Sequence, residues 1–162
     1  MPYPSHRLDL LIVAARPDQP VDVARIHALF ERWGLNDQGR SDDLESIIEG
    51  GCARVWLDQP GRILLYANQT GGFRVRCPGC STNLAGPFGV AHRGWKRGGP
   101  REVACMACQT THALEDVVLQ PPGAFSSWAI VFSAVNSTTL PPDTLMAIED
   151  AVGEHCVIVR RP

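Results

Sequence analysis

The chain has 162 residues, of which 44% are hydrophobic and 20% charged, with a formal net charge of −2. These values are ordinary for one globular domain and exclude a low-complexity chain. Roughly 70% of the surface of the unfolded chain can be buried at this length, so folding does not require disulfide bonds or a metal ion. The longest apolar runs, LDLLIVAA and SSWAIVFSAV, are too short to cross a bilayer. The N-terminus lacks the pattern of a signal peptide, so we expect a cytoplasmic protein.

The chain opens with the pattern of a buried strand followed by a helix. The run LDLLIVAARP (8–17) is mostly apolar and ends at a proline turn. Over 21–34 the apolar residues follow a helical period, and Gly34 is a suitable stop. The apolar positions of this predicted helix are Val23, Ile26, Phe30 and Trp33.

A second short helix and two further strands are predicted next. SDDLESIIEGG (41–51) has Asp42 and Glu45 at the spacing of a capping box, and two glycines end it. ARVWLD (53–58) and RILLYA (62–67) have the composition of strands. Because only the turn-forming segment QPG separates them, we expect these two strands to pair as a hairpin.

The C-terminal part repeats the order strand, helix, strand. WAIVFSAV (128–135) predicts a strand, PPDTLMAIEDAVG (141–153) a helix and CVIVRR (156–161) a strand. Two strand–helix–strand units favour an α+β fold, specifically a ferredoxin-like (split βαβ) sandwich. We therefore predict one discontinuous α/β domain, formed by residues 1–67 and 123–162.

Residues 68–122 do not fit this sheet, and we predict that they form an insertion between the two units. The insertion is rich in glycine and proline and contains four of the six cysteines. Short strands are expected at 71–76, 101–104 and 112–119.

The four cysteines of the insertion form two C-x2-C pairs, each after a short alternating strand, in FRVRCPGC (73–80) and REVACMAC (101–108). A reducing compartment favours metal binding over disulfide bonds. A C-x2-C turn places two sulfurs on one side of a loop, and two such turns complete the tetrahedron of thiolates that zinc accepts. The predicted zinc ligands are Cys77, Cys80, Cys105 and Cys108.

At about residues 68–119 the chain resembles the zinc-ribbon group, which has two C-x2-C knuckles, the first with proline after its first cysteine. The resemblance implies a structural, tetrahedral zinc ion on the same four cysteines. Glycine often follows the second cysteine of a ribbon knuckle, whereas Ser81 and Gln109 stand at these positions here.

Other cysteine sites fit the sequence less well. A thioredoxin-like redox pair should open a helix, which CPGCSTNLAG does not predict. A zinc deaminase needs an H-x-E motif, whereas His112 and Glu115 are three positions apart. We expect His112 at the start of a strand, as a hydrogen-bond donor to a metal ligand rather than as a ligand itself. Iron on the same four thiolates stays open. Cys52 and Cys156 border apolar runs and are expected in the core.

The segment between the knuckles, GPFGVAHRGWKRGGPR (86–101), predicts a short, irregular helix. Phe88, Ala91 and Trp95 share one face, and we expect His92 and the neighbouring basic residues to point mostly outward.

The basic residues are concentrated in the middle of the chain. No acidic residue lies between Asp58 and Glu102, so this stretch carries +7 and the rest of the chain −9. Such a surface can bind an anion or a partner, or consist of solvated arginines that pair with acids elsewhere in the fold. The candidate anion- or partner-binding residues are Arg74, Arg76, Arg93, Trp95, Lys96, Arg97 and Arg101.

No recognisable catalytic motif is present, which argues against an enzyme without excluding one. We predict a non-catalytic zinc-binding protein that acts as a protein-interaction module, such as an adaptor, regulator or inhibitor, with zinc in a structural role. The alternative is a nucleic-acid-binding protein that uses the basic insertion. An enzyme whose site is not visible in the sequence is the third hypothesis. The oligomeric state does not follow from the sequence.

Overall fold

The computed structural model describes residues 8–70 and 72–162, and over these residues it contains four α-helices and ten β-strands. In chain order they are β1 (Leu8–Ala14), α1 (Val23–Arg32), α2 (Leu44–Ile47), β2 (Arg54–Asp58), β3 (Leu64–Tyr66), β4 (Arg74–Arg76), α3 (Ala85–Lys96), β5 (Glu102–Cys105), β6 (Thr110–Ala113), a 3-10 turn (Leu114–Asp116), β7 (Val118–Gln120), β8 (Ala124–Ser126), β9 (Ala129–Val135), α4 (Pro142–Val152) and β10 (Cys156–Arg161). The predicted mixture of helices and strands is confirmed.

Two predictions reach beyond the described residues. Residues 1–7 of the predicted α/β domain and Gly71 of the strand predicted at 71–76 lie outside them. None of the helices in the described part of the chain has the length and apolarity that a membrane span requires.

The largest sheet has four strands in the order β10-β1-β9-β2, and every neighbouring pair is antiparallel. Ile12 at the centre of β1 lies opposite Ile158 on one side and Ile130 on the other. The two strands of the N-terminal unit, β1 and β2, are therefore not neighbours, because β9 of the C-terminal unit lies between them.

Both faces of this sheet are covered, which explains the nearly continuous apolar run of β1. Since neighbouring strand residues point to opposite faces, Leu10 and Ile12 share a core with α1 and α4, while Leu11 and Val13 belong to a second core on the other face. Helices α1 and α4 contribute Ile26, Leu29, Ile148 and Ala151 to the first core.

A two-stranded ribbon of β3 and β8 supplies the second core with Tyr66 and Ala124. The predicted hairpin of residues 53–58 and 62–67 is therefore wrong, because β2 pairs with β9 and β3 pairs with β8. The turn residues allow the chain to reverse direction after β2. The burial of Tyr66 against the second face of the large sheet then determines that β3 lies on this face rather than beside β2.

The buried Ser126 hydroxyl ties this ribbon to the sheet. It donates to the carbonyl of Trp128 (2.6 Å) and accepts from the backbone N–H groups of Ala14 (3.3 Å) and Trp128 (3.2 Å). A buried hydroxyl with this many partners fixes the crossing from β8 into β9.

The helix starts differ in how they are capped. The Asp22 carboxylate accepts a hydrogen bond from the backbone N–H of Arg25 (3.2 Å) and caps α1. The predicted helix at 41–51 shrinks to the single turn of α2, and its predicted capping box is wrong, because Asp43 is the N-cap and makes no side-chain cap. Burial of Leu44 and Ile47 holds this turn instead.

The middle of the chain folds around an apolar core of its own. The ribbons β4–β7 and β5–β6 and helix α3 enclose Val75, Phe88, Val103 and Leu114. Helix α3 is continuous over twelve residues rather than short and irregular. The strand predicted at 112–119 is wrong, since the 3-10 turn divides it into β6 and β7, which pair with different partners. The insertion boundaries at 68 and 122 stay a prediction.

Phe125 of β8 belongs to this middle core, and only 1% of its surface is exposed to solvent. Its ring contacts Phe88 and Trp95 of α3, with centroid distances of 6.3 Å and 5.5 Å. The ribbon that covers the large sheet is therefore also the element on which α3 packs.

Truncating Phe125 is expected to destabilise the whole protein. Phe125→Ala removes a fully buried ring that links two cores, and we expect a loss of about 3–5 kcal/mol in the free energy of unfolding, measured by urea denaturation. Val90→Ala on the exposed side of α3, where the side chain is 64% exposed, is the control and should change it by less than about 0.5 kcal/mol. A loss at Phe125 no larger than that of the control would contradict this packing.

Candidate metal centre

The fold brings the four cysteines of the two C-x2-C pairs together. Their sulfur atoms all lie within 4.8 Å of one another. Cys77 Sγ is 3.7 Å from Cys108 Sγ, and Cys80 Sγ is 3.6 Å from Cys105 Sγ. A tetrahedron with metal–sulfur bonds of about 2.3 Å has sulfur–sulfur edges of about 3.8 Å. The four sulfurs therefore have the spacing that could hold one metal ion.

Each knuckle turns tightly without the glycine that ribbon knuckles often use. In the first knuckle the backbone N–H of Ser81 donates to the carbonyl of Cys77 (2.9 Å), and the N–H of Cys77 donates to that of Thr82 (2.9 Å). Ser81 has φ +62° and Gln109 of the second knuckle has φ +58°. This left-handed backbone costs a non-glycine residue about 1–2 kcal/mol, so the turn is held by its surroundings.

A threonine follows the second cysteine of each knuckle by two positions, and this repeat is visible in the sequence. Cys80 Sγ lies 3.1 Å from the Thr82 hydroxyl oxygen. The hydrogen bond from Thr82 lowers the pKa of Cys80 to about 6, and Thr110 lowers the pKa of Cys108 in the same way. The exposed cysteine of each knuckle is therefore stabilised as a thiolate.

Cys105, one of the two buried cysteines, resists ionisation when its neighbours are already charged. A backbone hydrogen bond from Cys108 acts to lower the pKa of Cys105, but burial and the adjacent Cys80 sulfur outweigh it and raise this pKa to about 11. Four thiolates at this spacing repel one another, and a dication among them would remove the repulsion.

The two knuckles are anchored in the core at one cysteine each. Cys77 is 1% and Cys105 0% exposed, and both belong to the apolar cluster that contains Phe88. Cys80 and Cys108 lie at the surface. The centre therefore sits at the edge of the middle core, half in it and half in solvent.

Two nitrogen atoms face the Cys77 sulfur. The backbone N–H of Gly79 donates to it at 3.4 Å, and His112 Nε2 lies 3.3 Å from it. Sequence reasoning placed His112 at the start of a strand, and it lies on β6, opposite Val103 of β5. The sequence suggested a donor role for His112 but did not indicate which sulfur it would face, and the structure places it beside Cys77 of the other knuckle.

The seven candidate anion- or partner-binding residues occupy different environments. The Arg76 guanidinium donates to the carbonyl of Ser81 (3.2 Å) and supports the first knuckle, and Arg101 forms an ion pair with Glu115 at 3.2 Å. The exposed members are Arg74 on β4, Arg93 and Lys96 in the last turn of α3, and Arg97 directly after it. Trp95 is half-buried against Phe125.

His92 does not point outward as expected. Its ring stacks on Phe88 at a centroid distance of 5.9 Å and an interplanar angle of 13°, and it also contacts the rings of Trp95 and Phe125, each at 5.9 Å. The reason is helical spacing, since His92 follows Phe88 by four positions and precedes Trp95 by three. Burial lowers the pKa of His92, and the nearby charges of Lys96 and Arg93 lower it further.

The remaining cysteines are half-buried beside the core of the large sheet. Burial raises the pKa of Cys52 to about 11 and that of Cys156 to about 12. Both are therefore protonated, unreactive thiols at neutral pH.

These pKa differences predict an order of alkylation in reduced, metal-free protein. At pH 7 the thiolate of Cys80 predominates, whereas Cys52 and Cys156 are protonated, so iodoacetamide should label Cys80 before Cys52 and Cys156, as measured by peptide mass spectrometry. Its rate should level off above about pH 7, while the rates of Cys52 and Cys156 keep rising with pH. Faster labelling of Cys156 than of Cys80 would show that this electrostatic assignment is wrong.

No family model, no curated protein and no solved structure matches the chain. The capacity of the four cysteines to bind a metal ion is therefore inferred from their geometry.

Proposed function

We propose that Cys77, Cys80, Cys105 and Cys108 bind one structural zinc ion. The observation that carries this proposal is the spacing of their four sulfurs, all within 4.8 Å of one another. Zinc accepts four thiolates in a tetrahedron and does not need a redox partner. Iron can occupy the same ligand set, and metal analysis distinguishes the two.

The proposed zinc is structural because the protein supplies all four ligands and leaves no position for water or a substrate. Its binding energy would act on folding, since Cys77 and Cys105 are part of the middle core. Apparent zinc binding energies of about 10–16 kcal/mol in small domains are large compared with the stability of a whole protein. Catalysis at this metal is not part of the proposal.

We further propose that β10-β1-β9-β2 with α1 and α4 is a ferredoxin-like unit, interrupted by the insertion at 68–122. The antiparallel strand order supports this assignment, as does the packing of both helices in one core. The helices also contact each other, since the Arg25 guanidinium donates to the carbonyl of Asp150 (2.6 Å).

The zinc-stabilised insertion is proposed to act as a protein-interaction module. Arg93, Lys96 and Arg97 form no ion pair with any residue in 8–70 or 72–162, and they extend from a helix held by the middle core. Two large apolar side chains of the insertion are exposed, Val90 on α3 by 64% and Met106 of the second knuckle by 80%. Arginine and methionine are enriched at protein interfaces, which supports a protein partner.

Nucleic acid is the second candidate, because the stretch between Asp58 and Glu102 carries only positive charge. Two features make it weaker. Trp95 packs edge-on against Phe125 and is half-buried, so its ring is less available for stacking on bases. Arg76 and Arg101 make contacts within the insertion.

A reducing compartment such as the cytoplasm is part of the proposal. All six cysteines are free thiols in the structure, and a four-thiolate centre is vulnerable to oxidation.

The metal assignment predicts one zinc ion per chain in protein purified without chelators, measured by native mass spectrometry and elemental analysis. Cys77→Ser should remove the metal and strongly lower the melting temperature, because the middle core then loses its metal link. Cys156→Ser, outside the centre, is the matched control and should keep one zinc. Iron in place of zinc would change the identity of the metal, and an unchanged metal content in Cys77→Ser would refute the ligand set.

The partner assignment predicts a specific protein contact at α3. A photo-reactive benzoylphenylalanine at Val90 should give a discrete cross-linked protein in extract of the native host, and Arg93→Glu with Arg97→Glu should abolish it. The same group at Ala24, exposed on α1, is the control.

Fluorescence anisotropy with labelled single- and double-stranded oligonucleotides tests the alternative. We expect no specific binding. Affinity that falls steeply with salt and is lost in Arg93→Ala with Arg97→Ala would favour nucleic acid over a protein partner.

A further inference from the structure

We propose that His112 is a positioning residue of the metal centre, whose Nε2–H donates a hydrogen bond to the thiolate of Cys77. The inference rests on the proposed four-thiolate centre and adds a fifth side chain to it. Its effect would be to raise the affinity for the metal and to hold the two knuckles together.

The position of His112 makes it a link between the two halves of the site. It lies on β6, whose partner β5 leads directly into the second knuckle at Cys105. Its Nε2 lies 3.3 Å from the sulfur of Cys77 in the first knuckle. The hydrogen bond therefore joins the ribbon of one knuckle to a ligand of the other.

The ring borders the same space beside Gly79 as two of the sulfurs. A Cβ atom at Gly79 would lie 4.0 Å from His112 Cε1, 3.8 Å from Cys77 Sγ and 3.9 Å from Cys108 Sγ. These are ordinary contact distances, so the ring and the two sulfurs close around this residue. A larger side chain at this position would therefore touch both the ring and the sulfurs.

The chemistry of a metal-bound thiolate determines which atom carries the proton. A thiolate has no hydrogen and only accepts, so Nε2 must be the donor. Four thiolates around a dication leave two negative charges in excess, and hydrogen bonds to sulfur offset them.

The two knuckle threonines lie beside the exposed cysteines. Cys80 Sγ is 3.1 Å from the Thr82 hydroxyl oxygen, and the Thr110 hydroxyl donates to the carbonyl of Cys108 (3.4 Å). In residues 8–70 and 72–162, His112 is the one side chain with a nitrogen within hydrogen-bond distance of any of the four sulfurs. It supports the buried Cys77, which lacks a threonine two positions away.

Two variants separate hydrogen bonding from packing. His112→Leu keeps an apolar side chain of similar size and removes the donor, whereas His112→Gln retains an N–H group. His27→Leu on the exposed side of α1 is the control. Zinc affinity is measured by competition with a chromophoric chelator, and the ligand set by the absorption spectrum after substitution with Co²⁺.

We expect all four proteins to bind one metal ion with the cobalt spectrum of four thiolates. Zinc affinity should fall by about 10–100-fold in His112→Leu, recover in part in His112→Gln and be unchanged in His27→Leu. Circular dichroism checks that the variants fold. If His112→Leu does not fold, the proposal requires His112→Gln to bind zinc less than about tenfold more weakly than the wild type.

Three outcomes would overturn the proposal. Wild-type affinity in His112→Leu would show that the hydrogen bond contributes nothing, and equal losses in the Leu and Gln variants would assign His112 to packing. A wild-type cobalt spectrum of three thiolates and one imidazole, lost in His112→Leu, would make His112 a direct ligand. If the wild type binds zinc and only these tests fail, the proposed function stands, whereas a wild type without metal refutes both.

Discussion

Mutual repulsion among four crowded sulfur atoms is the constraint on which the middle of this protein depends. All four lie within 4.8 Å of one another, and the pKa of Cys105 rises to about 11 beside its neighbours. All four sulfurs can be ionised together only around a cation. Because Cys77 and Cys105 are also core residues, the ionisation of the sulfurs and the packing of the middle core depend on each other. A bound metal ion would remove the repulsion between the thiolates and link the two knuckles of the middle core.

The middle core transmits this dependence to the large sheet. Phe125 receives the aromatic face of α3, and the next residue, Ser126, bonds to the backbone of Ala14 and Trp128. The same short ribbon thus covers the second face of the sheet and seats the cysteine-containing segment. This arrangement holds the exposed basic end of α3 on a packed base, and the recognition surface proposed there would lose little binding energy on ordering.

Much of the secondary structure and the cysteine cluster could be predicted, because both depend on patterns of residues that are close together in the sequence. The period of Val23, Ile26 and Phe30 indicates α1, and two C-x2-C pairs indicate one site wherever the chain places them. Predictions of which strands pair with each other were less successful. The turn after β2 suggested a hairpin, yet β3 pairs with β8, about sixty residues away in sequence. A turn motif carries no information about which apolar face must be covered.

Composition and spacing alone revealed the two C-x2-C pairs, the alternation of strands and helices at both ends, and the concentration of basic residues in the middle. Which of those residues meet depends on the packed fold. The fold turns His92 inward, engages Arg76 and Arg101 within the insertion, and places His112 beside Cys77. Such contacts escape sequence patterns because periodicity and spacing act over a few residues, whereas the contact of His112 with Cys77 depends on how separate ribbons pack.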